Sequence, residues 1–150
     1  MRVTLLLADH AVVAEGKLYI SGGGWSVTGP TPTPSAIAVK LDVPWDRTNK
    51  RIQLRLRLIG QDGDPVMFPG PEGPTPVVIT GDAEVGRPEG LPEGADIDFP
   101  LAFQLGPLPL EPGQRYQWVL DIDGETHQDW RLTFSTRPAA PGSTTYVVDP

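Results

Sequence analysis

The segment "RIQLRLRLIG" limits the possible folds more than any other part of the chain. Ile52, Leu54, Leu56 and Leu58 alternate with Arg51, Gln53, Arg55 and Arg57, a two-residue period that places one row of side chains in a core and the other in water. A helix would scatter both rows around its circumference. The same period returns in Ile37, Val39, Leu41 and Val43; in Val77, Ile79, Ala83 and Val85; in Ile97 through Leu105; in Tyr116, Trp118, Leu120 and Ile122; and in Trp130, Leu132 and Phe134. A further strand is expected over Val3 to Ala8. "DHAVVAE" reads equally as one helical turn ending at Gly16 or as the first arm of a hairpin turning at Glu15 and Gly16. Short strands with one apolar face each predict an all-β chain, a single antiparallel β-sandwich.

The 18 prolines and 17 glycines fall mostly between these segments, in "GPTPTP", "PVMFPGPEGPTP" and "RPEGLPEG", where they punctuate loops. Pro100 lies within a strand pattern, on its polar parity, and calls for an edge or a bulge because it has no N–H to give a neighbour. Residues 1–137 read as one sandwich domain. The remainder, 138–150, contains "STTYVV", whose strand propensity predicts docking as an extra strand on its own sheet or on a partner.

"LEPGQRY" places Leu110 and Gly113 six and three residues before Tyr116. It resembles the tyrosine corner of immunoglobulin-like and fibronectin type III-like sandwiches. The resemblance implies an immunoglobulin-like fold in which Tyr116 bonds back to the upstream backbone.

Charge and composition exclude several functions. Twelve basic against 19 acidic side chains give a net charge of −7, which repels nucleic acid and anionic membrane surfaces. No stretch approaches the roughly 20 apolar residues of a membrane span, and "MRVTLLLADH" is too short in its apolar run for a secretory signal, so the expected location is cytoplasmic. With no cysteine, thiolate metal sites and cysteine nucleophiles are absent.

Gly22, Gly23 and Gly24 in "GKLYISGGGW" would suit a phosphate loop only if a helix opened directly behind them. None is expected there, and the glycines read as a strand bend or bulge. Asp9 and His10 are adjacent, so their side chains point to opposite faces of a strand. His127 and Asp129 share a face, but two ligands are too few for a zinc site. No catalytic residue, metal or cofactor is assigned. Asp123 and Gly124 read as a hairpin turn. Parity requires the rows of Trp118 and Trp130 to face one core, which a three-residue connection of Asp123, Gly124 and Glu125 would achieve by setting Trp118 against Trp130, Tyr116 against Leu132 and Asp121 against His127.

The remaining candidates are binding residues. Trp25 and Trp45 could stack on a sugar or a proline-rich peptide, or could cover the ends of the sandwich. Arg51, Arg55 and Arg57 form either a solvated face or a site for an acidic partner. The stretch "ADHAVVAEGKLYISGGGW" (residues 8–25) resembles the N-terminal signature of a family of short, uncharacterised bacterial all-β proteins, which implies no activity. The expected function is a non-catalytic binding or assembly module with a protein partner or a second copy, the alternatives being a carbohydrate- or peptide-binding module or an enzyme of unrecognised type.

Overall fold

A computed structural model describes residues 1–139. The strands are β1 (Arg2–Ala14), β2 (Lys17–Gly23), β3 (Val27–Thr28), β4 (Ser35–Val43), β5 (Arg51–Gly60), β6 (Met67–Phe68), β7 (Thr75–Pro76), β8 (Val78–Glu84), β9 (Ile97–Leu105), β10 (Arg115–Ile122) and β11 (Glu125–Thr136). The chain is all-β; among the described residues the only helical element is a single 3-10 turn, Trp45–Arg47. One sheet has the order β2-β1-β4-β9 and a second the order β3-β11-β10-β5-β8; β6 and β7 form a small ribbon. Pairing is antiparallel except between β3 and β11, which run parallel, a departure from the purely antiparallel expectation. The expected strand at "STTYVV" lies outside the described residues.

Both sheets contribute to one hydrophobic cluster. Ile37, Val39, Leu41 and Val43 of β4 meet Ile52, Leu54, Leu56 and Leu58 of β5 and Tyr116, Trp118, Leu120 and Ile122 of β10, all buried. Burial of side chains this size stabilises the fold by about 1.5–3 kcal/mol each. Pro100 lies on β9, an outer strand of its sheet.

The first sheet also packs on its other side. Ala36 and Ala38, alternating with the core residues of β4, form a second buried cluster with Ala8 and Ala11, against which Leu18 and Ala102 pack. Methyl side chains let backbones approach closely, and the end of the β1–β2 hairpin curls onto this alanine face. The Gln104 amide of β9 donates to the Ala11 carbonyl and ties the hairpin down. Residues 9–14 thus belong to a hairpin arm, and its two-residue turn has Glu15 at φ 52° and Gly16 at φ 71°. The left-handed values at both positions fit a type I′ turn. At the far end of β2, Gly22 has φ +59° beside Asp9, and a Cβ on Gly23 would collide with Ile20. No helix follows: the chain passes through Trp25 into β3.

The β10–β11 hairpin corrects the expected register. Asp123 (φ 50°) and Gly124 (φ 80°) form a two-residue turn, so Ile122 pairs with Glu125 and Asp121 with Thr126, not His127. A bulge between Val119 and Asp121 then shifts the ladder, setting Trp118 against Leu132 and Tyr116 against Phe134. Trp118 and Trp130 both enter the core. Parity is restored by the bulge, not by a longer turn, because left-handed Asp-Gly forms the tight turn without strain and leaves the mismatch to the strand.

Candidate functional site

Leu110, Gly113 and Tyr116 are held by main-chain hydrogen bonds and by packing on the core. The Tyr116 hydroxyl accepts a hydrogen bond from the Glu111 N–H at 2.7 Å, and its ring stacks on Phe134 at 5.7 Å. Gly113 (φ +71°) lies against Pro138 and donates its N–H to the Arg137 carbonyl, while Leu110 packs on the core.

The two loop tryptophans do not share a surface. Trp25 packs on the core edge-to-face with Phe134 at 6.1 Å, and its indole nitrogen is buried with no partner among the described residues. It borders a crevice with Leu7, Pro30, Ser35, Leu110 and Phe134 of about 20 Å³. That is room for about one water molecule and too little for a sugar ring. Trp45 follows the opposite end of β4, about 30 Å away by strand length. The Arg87 guanidinium covers its ring at 4.1 Å and bonds the Trp45 carbonyl and the Thr48 hydroxyl. One face of that ring is therefore already engaged in a cation–π contact.

The arginine row is largely matched by carboxylates of the same sheet. Arg51 pairs with Asp82 of β8, Arg57 with Asp121 of β10 at 3.1 Å, and Arg47 with Asp123 of the turn at 2.6 Å. Arg55 lies across from Thr80 and Asp121, has no ion pair among the described residues, and lines an open hollow of about 400 Å³ with Gln53, Asp82 and Gly124. The face alternates in charge and is not a uniformly cationic field. His127 packs edge-on against Trp130 at 4.3 Å, and Asp121 is paired with Thr126. Among the described residues no group of three or more metal-ligating side chains comes together, and no helix is long and apolar enough to cross a membrane.

Exposed apolar side chains occur at Val27, at Met67 and Phe68 of β6, and in a larger group on the β1–β2 hairpin. Tyr19 is 49 % exposed, Val13 42 %, Val12 39 % and Ile20 38 %. Val12 and Tyr19 are direct cross-strand partners and turn to solvent together, while in the opposite row Ala11 and Leu18 pack on the alanine face and Val13 and Ile20 stay exposed. These residues were not singled out from the sequence. A signal was present: Val12-Val13 and Leu18-Tyr19-Ile20 are apolar on both parities, so one row had to leave the core.

No curated protein and no solved structure matches the chain. A family model does: the DUF6941 family of unknown function is matched over residues 3–135, from the start of β1 to the end of β11. The chain belongs to the DUF6941 family, whose function is unknown.

Proposed function

We propose that this chain is a non-catalytic binding or assembly module of the cytoplasm, built as one immunoglobulin-like β-sandwich and making its contacts through the β1–β2 hairpin. The core shared by two sheets and the Tyr116 bond to Glu111 support the immunoglobulin-like part of the reading. The observation that carries the binding part is the solvent-facing pair of Val12 and Tyr19 on a hairpin anchored from behind by Ala11 and Leu18. A sugar- or peptide-binding site on Trp25 and Trp45 is less well supported, since the rings lie far apart and each is packed by its own neighbours.

A photo-crosslinking amino acid placed at position 19 in cells of the native host tests this reading. It is expected to trap one discrete protein adduct, with none from the same group at exposed Arg131 on β11. The absence of any adduct from position 19 would overturn the hairpin as the contact surface.

A further inference from the structure

We infer that the occupant of the hairpin is a second copy of this chain, joined by antiparallel pairing of β2 with β2 across a two-fold axis. The inference rests on the binding reading above and names its partner.

Four strands border the two main sheets: β2, β9, β3 and β8. Exposed edges invite pairing unless charge, proline or shortness blocks them. β9 carries Pro100, which offers no N–H, and Asp98; β8 carries Asp82 and Glu84; β3 is two residues long. β2 is seven residues of "KLYISGG", without proline or carboxylate. For a chain of net charge −7, two copies repel at most approaches, and a carboxylate-free edge lowers that barrier.

Backbone geometry sets the register. The two-residue turn at Glu15–Gly16 makes Ala14 and Lys17 a hydrogen-bonded pair, so by alternation Tyr19 and Ser21 direct their N–H and C=O groups at Val12 and His10 of β1. Leu18 and Ile20 direct theirs outward. A two-fold axis at Tyr19 sets Leu18 opposite Ile20 of the second copy, and each such pair exchanges both main-chain hydrogen bonds. Tyr19 then faces Tyr19, and the exposed Val12–Tyr19 pair becomes a continuous apolar row from Val12 through both tyrosines to Val12 of the second copy. The only charged residue of β2, Lys17, falls opposite Ser21, so no like charges meet.

The chain has no cysteine, which makes single-cysteine variants clean probes. Facing residues of a non-hydrogen-bonded pair have Cα atoms about 4.5 Å apart, within the roughly 4.4–6.8 Å that a disulfide spans. Mild oxidation of Tyr19→Cys should therefore give a covalent dimer, whereas the two copies of Lys17→Cys, four residues out of register, lie about 13 Å apart and should not cross-link. Light scattering of the unmodified protein between 5 and 500 μM should approach twice the 16.2 kDa chain mass. Ile20→Pro, which removes an outward N–H and spares the bonds to β1, should return it to the monomer, and Ile20→Lys serves if the proline lowers the melting temperature. A monomer at every concentration would overturn the second copy as occupant but leave the hairpin reading standing if position 19 still traps another protein in cells. A dimer that persists in both Ile20 variants would place the interface elsewhere and overturn the pairing of β2 with β2, the hairpin reading then standing or falling with the adduct at position 19. A monomer that pairs only when residues 140–150 are removed would mean that the edge is filled by the chain's own tail, which also overturns it.

Discussion

Tyr116 shows how far a single residue is legible. The resemblance of "LEPGQRY" implies a bond from Tyr116 back to the upstream backbone, and the partner, the Glu111 N–H, lies within the same seven residues. Tyr116→Phe should leave a partly buried Glu111 N–H without its acceptor and lower stability by about 1–2 kcal/mol, measured by urea unfolding; an unchanged midpoint would mean that the bond contributes nothing. The settings of Trp25 and Trp45 were not legible, because Phe134 and Arg87 arrive from distant segments. Lys40 is a further case made by tertiary structure. It bonds Asp42 of its own strand at 3.0 Å and Asp98 of β9 at 3.1 Å, and these two contacts, Asp42 first, raise its pKa above the ordinary 10.5. A raised pKa means that the folded state holds the proton more tightly than the unfolded chain does. The contribution is thus complete below the unfolded value and fades as pH climbs through the higher folded value. At this exposed site it is small. An NMR titration of the Lys40 ammonium should give a midpoint above 10.5, and one at or below that value would contradict the ion-pair geometry.

Among the elements, the existence of the β10–β11 hairpin and the need for an even register were legible, and the place where parity is restored was not. Alternation reports which side chains must share a face and is silent on where an extra residue is inserted. Local turn preference decided that question: left-handed Asp123 and Gly124 close the tight turn, and the bulge is pushed back to Leu120, opposite the residues between Thr126 and Arg131. Gly124 isolates the effect, since a Cβ there would meet nothing within 4 Å. Gly124→Val should nevertheless destabilise by about 1–2 kcal/mol through backbone strain alone, seen as a shift in the urea midpoint; a neutral result would contradict the left-handed turn. The hairpin of β1 and β2 was ambiguous from its sequence because Val12 and Val13 fit either structure. What settles it is the alanine face of β4 and β9, which only the assembled sheet presents.

At the scale of the whole molecule, the two-residue period located the core and left the exposed apolar hairpin unmarked, because a strand pattern shows that one row is buried without showing whether the other meets water or a partner. The core makes a firm prediction. Leu41 is fully buried at the centre of the shared cluster, and Leu41→Ala should cost about 2–5 kcal/mol, whereas Val12→Ala on the exposed hairpin should leave monomer stability within about 0.5 kcal/mol. The edge of β2, unpaired among the described residues, is on this proposal completed by a second copy of the chain. Hydrogen exchange of its amides, followed by NMR at low and high protein concentration, tests this most directly. The Tyr19 and Ser21 amides bond to β1 in either state and serve as internal standards. The Leu18 and Ile20 amides are expected to exchange quickly in dilute protein and to become protected as concentration rises, and fast exchange of both at every concentration would contradict the claim.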